Sequence, residues 1–434
     1  MMNTMPTLFL SLTLVLLSNF ISGKTLASMD LKSLIIEGLQ HNINIKNQRI
    51  NLEKAKIDLS NSKKAYLPTV SLSSGLSYSH SAGEGTVSKT ASLTTSWTLW
   101  DHWQTQTTIE NTGLSLKNEE ISTFKAVQDY ILNVLGSYLS LQLLKNEKVI
   151  TQQGRDSAQM NYKKASQLVK LGAKTKIDLY SPEISLLNAN RDLLEINKNI
   201  KTALTAFQFL INPNKKVEVK PVDFLTFRPY FKDAFDKNWE RFQKDWEKVL
   251  LENNSDIKME LNNMEKSKNS LGQEKLNMWP QLTASASHTW DLAEQFKSGD
   301  TNPQSFQAGL NLTWTVFDWG KSRANLKSSI YNLETSELNF KKQIFEKKNT
   351  ILKLFQDYKI LGESIKSSQL ILEKAKAQQK YSKNMYNLGK ITSSDLRQAR
   401  TDLFSARVGL ARRLKDKFLL MGQILQAFGQ DLRP

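Results

Sequence analysis

The sequence predicts a mainly α-helical chain written twice, each half carrying one β-hairpin set between helices. Three observations predict it. The 434 residues hold only 18 Gly and 9 Pro, so few long stretches can be loop. Distant segments align with one another at several motifs in the same order. Within each half the hydrophobic period switches from helical to two and back again.

The repeat is specific. IKNQRINLEKAKIDLSNSKKAYLP, ending at Pro68, matches IKMELNNMEKSKNSLGQEKLNMWP, ending at Pro280, through Ile45/Ile257, Glu53/Glu265, Lys54/Lys266 and Lys63/Lys275. SWTLWD (Ser96 to Asp101) matches TWTVFD (Thr313 to Asp318), and LGAKTKIDL (Leu171 to Leu179) matches LGKITSSDL (Leu388 to Leu396). These matches define a first repeat at 28–211, a linker at 212–239 and a second repeat at 240–430.

The chain opens on an uncharged, mostly apolar run, Leu8 to Ile21, shorter than the ~20 residues of a spanning helix. With the small residues that follow, it predicts a secretory signal peptide over 1–27, cleaved after Gly23 or Ala27; a buried N-terminal helix is the alternative. No Cys follows the run, which excludes a lipoprotein anchor, and the absence of a second such run excludes a bundle of membrane-spanning helices.

Amphipathic helices come next, over 31–66 and 239–278, each stopped by a proline that cannot continue it. After each proline the period becomes two. Val70, Leu72, Leu76 and Tyr78 alternate with small polar residues, as do Ala91, Leu93, Trp97 and Leu99. The second half repeats this with Leu282, Ala284, Ala286, His288 and Trp290, and with a return strand from Phe306 through Leu310 and Leu312 to Val316. Hairpins are therefore expected at 69–100 and 281–317. Strands of ~10 residues with one apolar face have the length and alternation of outer-membrane strands. Aromatic residues near the strand ends, such as Trp97, Trp100, Trp279 and Trp290, resemble interfacial girdles. The alternative is a soluble β-sandwich face. Four strands cannot close a barrel around a passage, and open edges are not tolerated in lipid, so several chains must share one barrel.

Each hairpin leads into a long proline-free helix, 105–169 and 322–387, which at ~1.5 Å per residue extends about 100 Å. Ile351, Leu354, Tyr358, Leu361 and Ile365 follow a coiled-coil rhythm. A Leu-Gly turn ends each long helix, and a shorter helix follows, over 176–210 and 393–428. Two short helices end to end match one long helix, so side by side they make a tube wall of even height.

Composition removes other functions. Without Cys there is no disulfide, thiolate metal site or cysteine nucleophile. No two of His41, His80, His102 and His288 sit one helical turn apart, so no metal site is expected. The formal charge of +17 invites a nucleic-acid partner, but bases and acids interleave along the chain, as in Glu346, Lys347 and Lys348, which describes solvated helix faces. There is no G-x-S-x-G motif and no phosphate-cradling loop, so neither catalytic residues nor a cofactor is expected.

Taken together, the prolines ahead of each hairpin, the Trp-Thr-Leu/Val-aromatic-Asp motif at 97–101 and 314–318, and the Gly-x5-Asp-Leu turn at 172–179 and 389–396 resemble the TolC family of outer-membrane efflux and secretion channels. The resemblance covers nearly the whole mature chain. It implies a homotrimer in which a twelve-stranded β-barrel in outer-membrane lipid continues into a coiled-coil periplasmic tunnel. It further implies cargo received from an inner-membrane pump or ABC exporter through a periplasmic adaptor, with no hydrolysis and no nucleic acid. Residues 212–238 would belong to a belt around the tunnel, and with the chain ending at Pro434 a C-terminal contribution to it is expected to be absent or minimal.

For the closed periplasmic end, the resemblance implies turn glycines at Gly172 and Gly389 and a constriction acid at Asp395, with Gln398 at the second acid position. Tyr386 matches the latch tyrosine, Asp178 its acidic partner, and Ile391 stands where some relatives carry a latch arginine. The alternative for Asp178 and Asp395 is an acid held at a helix N-terminus by the backbone dipole. A periplasmic coiled-coil adaptor or scaffold is the competing function; it shares the signal peptide and long helices but has no reason for paired strands of membrane length.

Overall fold

The computed structural model describes residues 30–81, 84–214, 219, 223–224, 226–291 and 304–434; the expected signal peptide lies outside them. The first half runs α1 (Leu31–His41), α2 (Ile43–Lys63), β1 (Thr69–Ser81), β2 (Glu84–Trp100), α3 (Gln104–Lys170) and α4 (Ile177–Ile211). The second runs α5 (Lys232–Lys244), α6 (Trp246–Asn253), α7 (Ser255–Leu276), β3 (Gln281–Asp291), β4 (Gln304–Thr313), α8 (Lys321–Asn387) and α9 (Ser393–Ala427).

The single helix expected over 31–66 is broken at Asn42, and the one expected over 239–278 at Asp245 and Asn254. Each asparagine is extended, and its side-chain oxygen accepts from the backbone N–H two and three residues on: Asn44 and Ile45 at 3.0 and 3.3 Å, Asp256 and Ile257 at 3.0 and 3.1 Å. An asparagine that satisfies the first amides of the next helix ends one helix and starts another.

The strands form one four-stranded antiparallel sheet in the order β1-β2-β3-β4. The register places the alternation on two faces. Leu72, Leu93 and His288 are successive cross-strand partners on one face, where Ala284 pairs with Leu310 and Leu282 with Leu312. Ser73, Ser92 and Thr289 are aligned on the other, with the Ser73 and Ser92 hydroxyls 2.8 Å apart. Two details differ from expectation. A register shift between Thr98 and Trp100 puts Leu99 in a bulge and pairs Trp100 with Leu282. The return strand ends at Thr313, paired with Gln281, rather than continuing to Val316. The residue before Gln281 is Pro280, which has no amide to continue the ladder, and among the described residues β4 has no second neighbour.

α3 and α8, 67 residues each, extend about 100 Å from the sheet, with α4 and α9 lying against their far halves and α2 and α7 against their near halves. The main hydrophobic core lies midway along this shaft, where Ile131, Leu135 and Leu139 of α3 meet Phe207, Phe235, Phe242, Ile351 and Phe428. Phe242 stacks on Phe428 at 4.2 Å between centroids. The few residues after α9 join this belt: Leu432 is fully buried, its amide donates to Gln128 at 3.2 Å, and Tyr230 hydrogen-bonds its carbonyl.

Candidate functional site

Each hairpin passes to its long helix through the same corner. Trp97 Nε1 donates to the Tyr66 carbonyl at 2.8 Å, and Trp314 Nε1 to the Met278 carbonyl at 3.0 Å. Each indole therefore ties the end of a hairpin to the residue two before the proline that opens it. The aspartate ending each motif then caps the helix, Asp101 accepting from the Thr105 amide at 2.8 Å and Asp318 from the Ser322 amide at 2.7 Å. The reversal of direction falls on left-handed residues, His102 and Trp103 (φ 53° and 63°) in one repeat, Trp319 and Gly320 (φ 56° and 85°) in the other. His102 Nε2 donates to the Pro280 carbonyl at 2.8 Å, joining the two corners.

At the opposite end, both long helices stop in the same way. The Gly172 amide (φ 71°) donates to Val169 at 3.1 Å and the Ala173 amide to Leu168 at 2.9 Å. The Gly389 amide (φ 69°) donates to Tyr386 and the Lys390 amide to Met385, both at 2.9 Å. This crossed pairing needs a left-handed residue, which glycine supplies without a Cβ clash. The next helix is then capped by an acid. Asp178 Oδ2 accepts from the Thr175 amide and hydroxyl at 2.9 and 2.8 Å, and Asp395 Oδ2 from the Thr392 amide and hydroxyl at the same distances. Thr392 Oγ1 in turn accepts from the Asp395 amide at 3.3 Å, completing a capping box. These bonds, the backbone amide first and the hydroxyl second, hold both exposed carboxyls below the ordinary carboxylate pKa.

The turn end thus carries Gly172, Asp178, Tyr386, Gly389, Asp395 and Gln398. It does not pair Tyr386 with Asp178: within the chain the Asp178 carboxylate bonds Thr175, and among the described residues no bond joins it to the exposed Tyr386 hydroxyl. Gln398 Nε2 donates to Asp402 Oδ1 at 2.8 Å, so a carboxylate stands one helical turn beyond the position that lacks an acid. Thr175 and Thr392 are missing from the sequence-based set although Thr-x-x-Asp spacing announces a cap. Asp402 carries no such signal and emerges only from helix register. Among the described residues no group of three or more His, Asp and Glu side chains is placed to hold a metal, and no described helix is long and apolar enough to cross a membrane.

The fold is similar to several solved structures. They include CusC (15% identity, 93% of each chain covered, TM-score 0.71) and the CmeC outer membrane channel of Campylobacter jejuni (18%, 95% of this chain and 90% of that one, 0.70). VceC, an outer membrane protein of Vibrio cholerae, is another (17%, 93% and 96%, 0.69). No curated protein sequence matches the chain. The family profile described as outer membrane efflux protein matches residues 34–212 and 246–417, one stretch in each repeat with the sheet, the corners and both glycine turns inside them. The chain belongs to the outer membrane efflux protein family.

Proposed function

We propose that this outer membrane efflux protein is the exit duct of a tripartite exporter. Three copies close their sheets into a twelve-stranded barrel and align their helices as a periplasmic tunnel, which an adaptor joins to an inner-membrane pump or ABC exporter. One observation carries the trimer: a four-stranded sheet with one apolar face, in which β1 and β4 each keep an unpaired side. Unpaired backbone groups are too costly in lipid to remain so, and pairing β4 of one copy with β1 of the next satisfies both. A periplasmic adaptor has no use for such a sheet. At the turn end, three copies of Asp395 form the narrow point of the tunnel, Gln398 and Asp402 extend that stripe, and a Tyr386–Asp178 contact that the single chain does not make forms on assembly and latches it shut.

The test is the size and conductance of the purified protein. Analytical ultracentrifugation in detergent is expected to give three chains per particle, and the same particles are expected to insert into planar bilayers and conduct. A monomer, or a particle that never conducts, overturns the proposal.

A further inference from the structure

The four strands together hold one lysine or arginine, Lys89 of β2. It is not on the polar face, where Ser73, Ser92 and Thr289 line up and a cation would look into water. Its cross-strand partner is Leu76, and the alternation of β2 sets it between Val87 and Ala91 on the apolar face. Lys89 is exposed there beside Leu76, Tyr78 and Val87, which are 72%, 68% and 53% exposed. Among the described residues no carboxylate pairs with it. β2 is an inner strand, bonded to β1 on one side and β3 on the other, so Lys89 lies away from the seam between copies.

An ammonium group facing lipid is costly unless its stem carries the charge out to the membrane surface. Depth decides whether it can. Trp97, tied to the corner at the Tyr66 carbonyl, marks the inner interface. Lys89 lies eight residues away along β2, toward the hairpin tip. At ~3.4 Å per residue and a tilt of about 40°, that is about 20 Å along the membrane normal, close to the far edge of an apolar band ~25 Å tall. From there the lysine stem reaches the outer headgroup layer. Tyr78, diagonal to Lys89 across the ladder, and His80, two residues beyond it, put a phenol and an imidazole on the same face at and above that level.

A cation and two polar ring side chains at headgroup depth, on a face that lipid covers, suit an anionic headgroup. The leaflet is set by the depth: inner-leaflet phospholipid meets the Trp97 end of the sheet, whereas the Lys89 end meets the phosphorylated glycolipid of the outer leaflet. We infer that Lys89, with Tyr78 and His80, holds a phosphate of that glycolipid, one molecule per chain around the barrel. The inference rests on the channel reading above and adds a lipid partner.

The test uses the purified protein in detergent, counts bound lipid by native mass spectrometry and measures conductance on the same preparation. Bisphosphorylated lipid A is the probe, with its dephosphorylated form and phosphatidylglycerol as comparisons. Wild type is expected to bind one lipid A per chain and the dephosphorylated form at least about fivefold more weakly. Lys89→Gln is expected to lose about fivefold in lipid A affinity, Lys89→Arg to stay within about twofold, and Lys341→Gln, on the exposed shaft, to bind as wild type. Lys89→Leu suits an apolar face, so it should assemble at least as well as wild type and still bind lipid A poorly, which separates lipid recognition from barrel stability. The inference fails if Lys89→Gln and Lys89→Leu bind lipid A as wild type does, or if removing the phosphates makes no difference. It also fails if phosphatidylglycerol competes equally, which would make Lys89 a contact for any anionic lipid, or if inorganic phosphate displaces lipid A, which would make the site one for a free anion. A particle that conducts but shows none of these preferences sinks this inference alone; one that does not conduct sinks the channel reading.

Discussion

Asn254 does in the second repeat what Asn42 does in the first: each caps the helix that follows and donates its Nδ2 to the end of a short helix from farther along the chain. The acceptors are the Leu210 carbonyl, 3.1 Å from Asn42, and the Ala427 carbonyl, 2.8 Å from Asn254. Both asparagines are buried. The N-terminus of α2 thus meets the C-terminus of α4, and that of α7 meets α9, so amides and carbonyls otherwise unpaired at helix ends are bridged by one side chain. The facing dipoles are also favourable, positive end to negative end. The even height of the shaft depends on these joints.

Asn254→Ala removes a cap and strands a buried carbonyl, and is expected to destabilise the protein by about 1–3 kcal/mol. Asn254→Ser keeps a side-chain oxygen that caps the next helix and loses the Nδ2 donor, so its cost should be smaller. Thermal unfolding in detergent reads both. Equal midpoints for wild type and Asn254→Ala would remove the joint from the account of stability.

The joints also show how far the sequence could be read. Hairpins, long helices and glycine turns were legible because each is written locally, in period, proline or a Leu-Gly pair. The asparagine breaks left only a faint trace, since Asn42 and Asn254 interrupt otherwise continuous helical patterns and their second partners, Leu210 and Ala427, are more than 160 residues away. The premature end of β4 depends on what lies beside an edge, which no local pattern records.

Gly38 in α1 is a second long-range constraint. A Cβ built there would lie 1.6 Å from Tyr130 Oη, and that hydroxyl donates to the Leu210 carbonyl at 3.2 Å. Burial raises the Tyr130 pKa well above that of an ordinary phenol, so it stays a donor at any physiological pH. Gly38→Ala must move the ring and is expected to cost about 1–3 kcal/mol. Adding Tyr130→Phe, which removes the clashing oxygen, should recover part of the loss. A double variant no more stable than Gly38→Ala would show that the oxygen is not the obstacle.

The sheet predicts an asymmetry between neighbouring positions of β4. Leu310 faces Ala284 on the apolar side and Gln307 faces Ser287 on the polar side. In a barrel with its apolar face to lipid, Leu310→Arg near the membrane midplane costs about 2–4 kcal/mol, whereas Gln307→Arg looks into water. Assembly yield in outer-membrane fractions should fall for the first and not for the second. Equal yields would mean that the two faces are assigned the wrong way round.

The last prediction separates the charge of Asp395 from its capping role. Its carboxyl is held below the ordinary value of 3.8, first by the Thr392 amide and then by the Thr392 hydroxyl. For an acid with a depressed folded-state pKa, the stabilisation is complete above the ordinary pKa and is lost as pH falls through the folded value. The capping turn should therefore stay formed well into the acid range, and, if three copies meet there as proposed, their carboxylates should stay charged and cation-selective over the same range. Repulsion within the ring acts the other way, raising at least one apparent pKa of the coupled set. Thr392→Ala removes the hydroxyl, so the loss of cation selectivity on acidification should move to higher pH. Asp395→Asn keeps an acceptor for the cap while removing the charge, and should reduce selectivity at neutral pH with little change in thermal stability. Reversal potentials across planar bilayers at graded pH measure both effects. If Asp395→Asn leaves the reversal potential unchanged while Asp395→Ala lowers the unfolding temperature, Asp395 is a helix cap and the narrow point of the tunnel lies elsewhere.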